Sequence, residues 1–129
     1  MLNKCQNNNI FSTEHLSMNN NVTVLELSGI LDGIRGNELR REVSTIMDKG
    51  TNILLLDLKN VKFIDSSGLG ALVSAMQIVR KTDGQLFICS INDQVKMLFQ
   101  LTKMDRIFQT FADQEEFNHQ VITMQNGVY

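Results

Sequence analysis

Ser66 and Ser67 stand side by side between Asp65 and Gly68-Leu69-Gly70, shortly after the apolar run Ile53–Leu58 and at the start of a helical pattern. Hydroxyls at the mouth of a helix lie beside backbone N–H groups without intrahelical partners, where the helix end carries partial positive charge. A phosphate placed there finds hydrogen-bond donors ready. A neutral serine in the same place is an ordinary N-cap. The pair therefore reads as a helix start signal or as a charge switch. The two readings coexist if one serine caps and the other offers its hydroxyl to a partner.

Nucleophilic catalysis is a third chemistry for a serine, and the sequence speaks against it. A nucleophile elbow needs Gly-x-Ser-x-Gly, whereas Ile64 and Asp65 stand two residues before Ser66 and Ser67. A base is also needed, and the histidines are His15 and His119, in the segments with the weakest pattern. Gly68 and Gly70 open like a dinucleotide fingerprint, but its third glycine falls at Val73, and the loop from the preceding strand is too long for that turn. No Gly-Lys-Ser/Thr follows, so the phosphate loop fails as well. Glycine costs helix stability relative to alanine, so the pair implies close packing against the backbone of this first turn. His15 has no Cys, Asp or His at ligand spacing. No catalytic residue, metal or cofactor is assigned.

The 129-residue chain fits one domain with a single core. Its net charge of −2, with basic residues in scattered pairs such as Arg40-Arg41 and Arg80-Lys81, lacks the clustered basic surface of a nucleic-acid binder. No apolar run approaches the roughly 18 residues of a membrane span, and Met1–Cys5 has no apolar stretch behind it to form a signal. Cys5 and Cys89 do not make a disulfide framework, and Cys89 inside an apolar strand reads as a small buried hydrophobe. These features predict a cytoplasmic protein that neither binds nucleic acid nor enters a membrane.

The elements that must position the serines follow from periodicity. Asparagine-rich residues 1–20 hold one weak strand, Ile10–Ser17, and Asn19–Asn21 suits a hairpin connection. Val22–Ser28 alternates as a strand, with Leu25 and Leu27 on one face and Val24 and Glu26 on the other. Gly29 marks a bend, and Leu31-Asp32-Gly33 leaves into a loop. A helix follows from an N-cap at Asn37, with Leu39, Val43, Ile46 and Met47 as its stripe and Lys49-Gly50 at its end. Ile53–Leu58 is continuously apolar and reads as a central strand; Lys59–Asp65 reads as a linker. The helix from Ser67 to Lys81 buries Leu69, Leu72, Val73, Met76 and Val79 and turns Gly70, Ser74 and Gln77 outward. Gln85–Ile91 is a buried strand. A helix from Asp93 carries Val95, Leu98, Phe99 and Leu101, Ile107–Phe111 is a short strand, and carboxylates from Asp113 open a closing helix. This alternation implies right-handed crossovers and a largely parallel sheet, with the first hairpin adding an antiparallel edge.

From about Val22 to Glu116 the sequence resembles the STAS domain family, and within it the bacterial anti-sigma factor antagonists. Four pieces carry the resemblance in order: Leu27–Asp32, Ile53–Leu58, Phe63–Gly70, and the later strand followed by Val95–Phe99. It implies an α/β fold, a single STAS-type domain at 21–125 behind an asparagine-rich extension at 1–20 with a candidate edge strand. The sheet would be mixed and mostly parallel, of four to five strands, with helices packed mainly on one face. It implies a non-enzymatic binding module, a monomer or weak dimer. The unphosphorylated form would hold an anti-sigma factor that is also a serine kinase, freeing a sigma factor. That kinase would phosphorylate Ser66 and end binding, and a serine phosphatase would reset it. Asp32 matches the family's acidic partner contact, and the expected contact patch is Asp32, Ser66, Ser67, Gly68, Gly70 and Ser74. Arg35 stands where antagonists commonly carry threonine. The second reading is a STAS regulatory subunit or scaffold of a transporter or signalling complex, with Ser66 serving only as a cap.

Overall fold

The computed structural model describes residues 12–15 and 22–122. Strands β1 (Ser12–His15), β2 (Val22–Leu31), β3 (Ile53–Ile64), β4 (Gln85–Cys89) and β5 (Gln109–Phe111) form one sheet in the order β1-β2-β3-β4-β5. β2 to β5 are parallel and β1 is antiparallel to β2, Ser12 facing Glu26 and His15 facing Thr23. The antiparallel edge is therefore present, while the asparagine connection at 19–21 lies outside the described residues. Each parallel crossover carries a helix: α1 (Gly33–Asp48), α2 (Ser66–Lys81) and α3 (Asp93–Leu101), followed by a 3₁₀ turn at Met104–Arg106. α4 (Gln114–Phe117) runs on into a π-helical turn, Asn118–Ile122.

Alternation along the strands divides the core in two. Leu25, Leu27, Leu54, Leu56, Leu86 and Ile88 point to α1, α2 and α3. Val22, Val24, Ile53, Leu55, Phe87 and Cys89 point to the other face, where Phe111, Phe117 and Val121 cover them. Gln114 ties that cover to the sheet, its Nε2 donating to the buried Asp57 Oδ2 at 2.7 Å and to Glu26 Oε2 at 3.3 Å. A buried carboxylate without such donors is costly, so this amide fixes where α4 begins.

Two expected loops are regular structure. β2 continues through the bend at Gly29 to Leu31, because Gly29 takes a φ of +80°, which glycine reaches without strain. β3 continues from Leu58 through the expected linker to Ile64. It gains one residue on β2 between Glu26 and Ser28 and another between Gly29 and Ile30. These bulges hid the strand, since alternation breaks at each extra residue. α1 starts four residues before Asn37, which lies inside the helix; its N-cap is Asp32. Leu101, the last apolar residue of the α3 pattern, is 75% exposed at the helix end.

Cys89 has no exposed surface. Burial is the main cause that pushes its thiol up to about 11 from 9.0. The folded state holds this proton more tightly than the unfolded chain. Its contribution to stability is thus complete below about pH 9 and is lost as pH rises through about 11. In a Cys5→Ser background, iodoacetamide at neutral pH should leave the native protein unmodified and alkylate Cys89 fully after denaturation. Rapid alkylation of the native form would contradict this burial.

Candidate functional site

The register of the two long strands builds the site. Leu31 pairs with Ile64, so Asp32 and Asp65 follow at adjacent strand ends, roughly one inter-strand spacing (about 5 Å) apart. Asp65 N donates to Leu31 O at 3.2 Å and closes this end of the ribbon. Each aspartate then starts a helix. Asp32 Oδ1 accepts from Arg35 N at 3.0 Å and Asp65 Oδ1 accepts from Gly68 N at 2.8 Å, the N-cap bond in both cases. Two helix N-termini, each with its partial positive charge, thus open side by side at one edge of the sheet.

Small residues let the two helices touch. A β-carbon on Gly36 would stand 2.7 Å from Ala71 Cβ, and one on Gly33 would stand 3.6 Å from Ser67 Cβ and 3.8 Å from Ser67 Oγ. Ser67 therefore borders the first turn of α1. Gly68 meets the strand ribbon more closely still: its β-carbon would lie 2.0 Å from Leu31 O. The close packing read from the glycine pair belongs to Gly68 alone, because nothing lies within 4 Å of a β-carbon on Gly70.

Neither serine is the cap. With Asp65 in that role, Ser66 and Ser67 are the first two residues of α2; both are exposed, and neither hydroxyl makes a hydrogen bond among the described residues. The start signal thus falls on Asp65, and both serine hydroxyls remain exposed. The missed cap had a sequence signal, an aspartate three residues before Gly68 at the head of an apolar periodic run.

The remaining expected contacts divide. Asp32 and Ser74 are half-buried and Gly70 is exposed; Gln77, expected to turn outward on α2, is exposed as well. Gly68 is buried against Leu31 and drops out of the contact patch as a correction. Of the two histidines, His15 pairs near the opposite end of β2 and His119 lies in the π-helical turn, so neither provides a base for Ser66. Among the described residues no group of three or more His, Cys, Asp or Glu is placed to hold a metal, and no helix is long and apolar enough to cross a membrane.

A surface absent from the sequence reading lies beside this site. Ile30 and Phe63 are register partners, and they are 50% and 55% exposed. Ile34 in the first turn of α1, Met97 and Leu101 are also exposed.

Comparison with known proteins places this geometry. The model of the STAS domain family matches residues 15–117. The anti-sigma-B factor antagonist of Staphylococcus aureus is 30% identical over 78 residues, covering 60% of this chain and 72% of the relative. A crystal structure from Thermotoga maritima, assigned as a candidate anti-sigma factor antagonist, superposes with a TM-score of 0.77 at 25% identity, covering 86% and 93% of the two chains. The unphosphorylated anti-sigma factor antagonist SpoIIAA superposes with a TM-score of 0.71 at 20% identity, covering 92% and 98%, and the phosphorylated Bacillus protein with 0.64 at 20%, covering 84% and 97%.

Proposed function

Because the chain belongs to the STAS domain family, we propose that it is an anti-sigma factor antagonist switched by phosphorylation of Ser66. The unphosphorylated chain binds an anti-sigma factor that is also a serine kinase, and so releases a sigma factor. Phosphate on Ser66 ends that binding, and a serine phosphatase restores it. One observation carries the reading: Ser66 is exposed at the first position of α2 with an uncommitted hydroxyl, because Asp65 has taken the cap. That a solved relative exists in unphosphorylated and phosphorylated forms supports it.

The geometry gives phosphoserine a defined effect. About −1.5 to −2 charges and three acceptor oxygens would be added at a helix start where the N–H groups of Ser66 and Ser67 have no intrahelical partner. The helix end favours the anion and keeps the domain folded, while the new charge stands beside Asp65 and one strand away from Asp32. A partner surface fitted to a neutral serine and an aspartate meets a dianion instead. Release needs no rearrangement of the domain.

The test is phosphorylation by the cognate kinase followed by fragment mass analysis. Wild type and Ser67→Ala should gain one phosphate on the peptide carrying Ser66, and Ser66→Ala should gain none. Full labelling of Ser66→Ala would move the acceptor elsewhere. Asp32→Asn tests the partner contact cleanly, because asparagine caps a helix about as well as aspartate and only the charge is lost. Affinity should fall, and the loss should shrink at high salt, because the half-buried Asp32 carboxylate is still open to screening by ions. A chain that binds no anti-sigma factor but assembles on a transport complex would instead favour the subunit reading.

A further inference from the structure

The β2–β3 ribbon outgrows the rest of the sheet. β4 pairs with β3 only as far as Cys89 opposite Asp57, so residues 58–64 have no strand on that side. α3 lies there, held by Asn92 Nδ2 donating to Val61 O at 3.1 Å. Between strand end and helix runs a groove of about 280 Å³, lined by Lys62, Phe63, Ile64, Met97, Leu98 and Leu101 among others. α3 is apolar on two sides. Val95 and Phe99 enter the core, while Met97, Leu98 and Leu101 form a second stripe along the groove. Phe63, Met97 and Leu101 are 55%, 61% and 75% exposed. Single exposed apolar side chains are ordinary, but three converging on one groove form a patch of the kind that marks an interaction surface.

Two features of the chain say what the groove accepts. The end of β3, α3 and the turn after it carry Lys59, Lys62, Lys96, Lys103 and Arg106 against the two carboxylates Asp93 and Asp105, on a chain whose net charge is −2. Lys62 lines the groove itself. The surroundings therefore suit an apolar side chain flanked by carboxylates, since complementary charge steers and orients docking. The groove is also continuous with the switch: Ile64 lines it, and Asp65 and Ser66 follow directly. From Phe63 to Ser66 the chain spans at most about 10 Å, so a protein covering Ser66 reaches the groove without a second binding event.

We propose that this groove is the second contact of the protein that covers Asp32 and Ser66, and that it receives an apolar side chain from an acidic segment of that anti-sigma factor. The inference rests on the antagonist reading above. It adds an orientation, because the partner must present positive charge toward Asp32 and negative charge toward Lys62.

The experiment measures affinity for the purified anti-sigma factor kinase of the same organism by titration calorimetry, with Leu101→Glu, Lys62→Glu and Ser66→Asp beside wild type. Both groove substitutions are on exposed side chains, and unchanged melting curves verify the fold. Leu101→Glu should weaken binding at least tenfold at any salt concentration. Lys62→Glu should weaken it several-fold, with the difference fading at high salt. As a second readout, the kinase should phosphorylate Leu101→Glu with a raised KM and an unchanged kcat, as expected when only docking is lost. Wild-type affinity in both groove variants, with Ser66→Asp still impaired, would overturn this proposal and leave the switch standing. Impaired groove variants beside a fully active Ser66→Asp would uphold the groove and remove the switch. Loss of self-association in Leu101→Glu with normal kinase binding would make the occupant a second copy of the chain and also overturn the proposal.

Discussion

Ser66→Asp should bind the anti-sigma factor several-hundred-fold more weakly than wild type while melting at nearly the same temperature. The binding term comes from one new carboxylate in the proposed contact, beside Asp65 and one strand from Asp32. An uncompensated charge in such an interface is worth about 3–4 kcal/mol, which corresponds to that factor. The stability term is small for a structural reason. Ser66 makes no side-chain hydrogen bond among the described residues, and a carboxylate in the first helical turn gains from the helix dipole by about 0.3–1 kcal/mol. Ser66→Ala should likewise melt as wild type does, because the cap is Asp65. Removing the cap is a different experiment: Asp65→Ala should cost about 1 kcal/mol of stability. Binding titrations and thermal melts on these variants separate the effects. Equal affinity of Ser66→Ala and Ser66→Asp, with intact folds, would mean that charge at this residue does not gate recognition.

How far the sequence carried this picture depended on where regular alternation held. Helical stripes such as Leu39, Val43, Ile46 and Met47 mark their elements because each buried residue follows the helical period, and these four are buried. The strand ends resisted reading. Two bulges shift β3 against β2, so Val61 and Ile64 turn inward at a spacing of three while Phe63 stays exposed, and the segment looks like a loop. Those bulges give β3 its two extra residues relative to β2 and level Leu31 with Ile64, which sets Asp32 and Asp65 side by side. Of the site, the exposed serine pair, the outward Gly70 and the close packing at Gly68 were legible in type and spacing, whereas the same packing read for Gly70 and the approach of Gly36 to Ala71 were not. The identity of the caps was not, because Asp, Asn and Ser are nearly interchangeable there and Asn37 competed with Asp32. The groove was hidden for another reason. Leu101 continues an apolar pattern, and periodicity cannot tell a side chain that meets the core from one that meets the end of a neighbouring strand.

The last prediction sets the two glycines of the motif against each other. Gly68→Ala should destabilise the domain by about 2–4 kcal/mol, whereas Gly70→Ala should stabilise it by roughly 0.5–1 kcal/mol. At Gly68 the added methyl would lie 2.0 Å from the carbonyl oxygen of Leu31, a backbone atom held by its bond from Asp65 N. Relief requires α2 to move off the ribbon, and that shift loosens the cap at Asp65 and the contact between Gly36 and Ala71 together. At Gly70 a β-carbon meets nothing within 4 Å, so alanine brings only its better helix propensity. Gly70→Arg extends the argument to function: the domain should fold normally, yet the long side chain projects from exposed Gly70, in the turn after Ser66, into the proposed contact. Binding should then be lost with no change in melting, the reverse of Gly68→Ala, whose fraction still folded should bind. Normal binding by Gly70→Arg would place the contact surface away from α2. A Gly68→Ala protein as stable as wild type would show that α2 does not press on Leu31 as described.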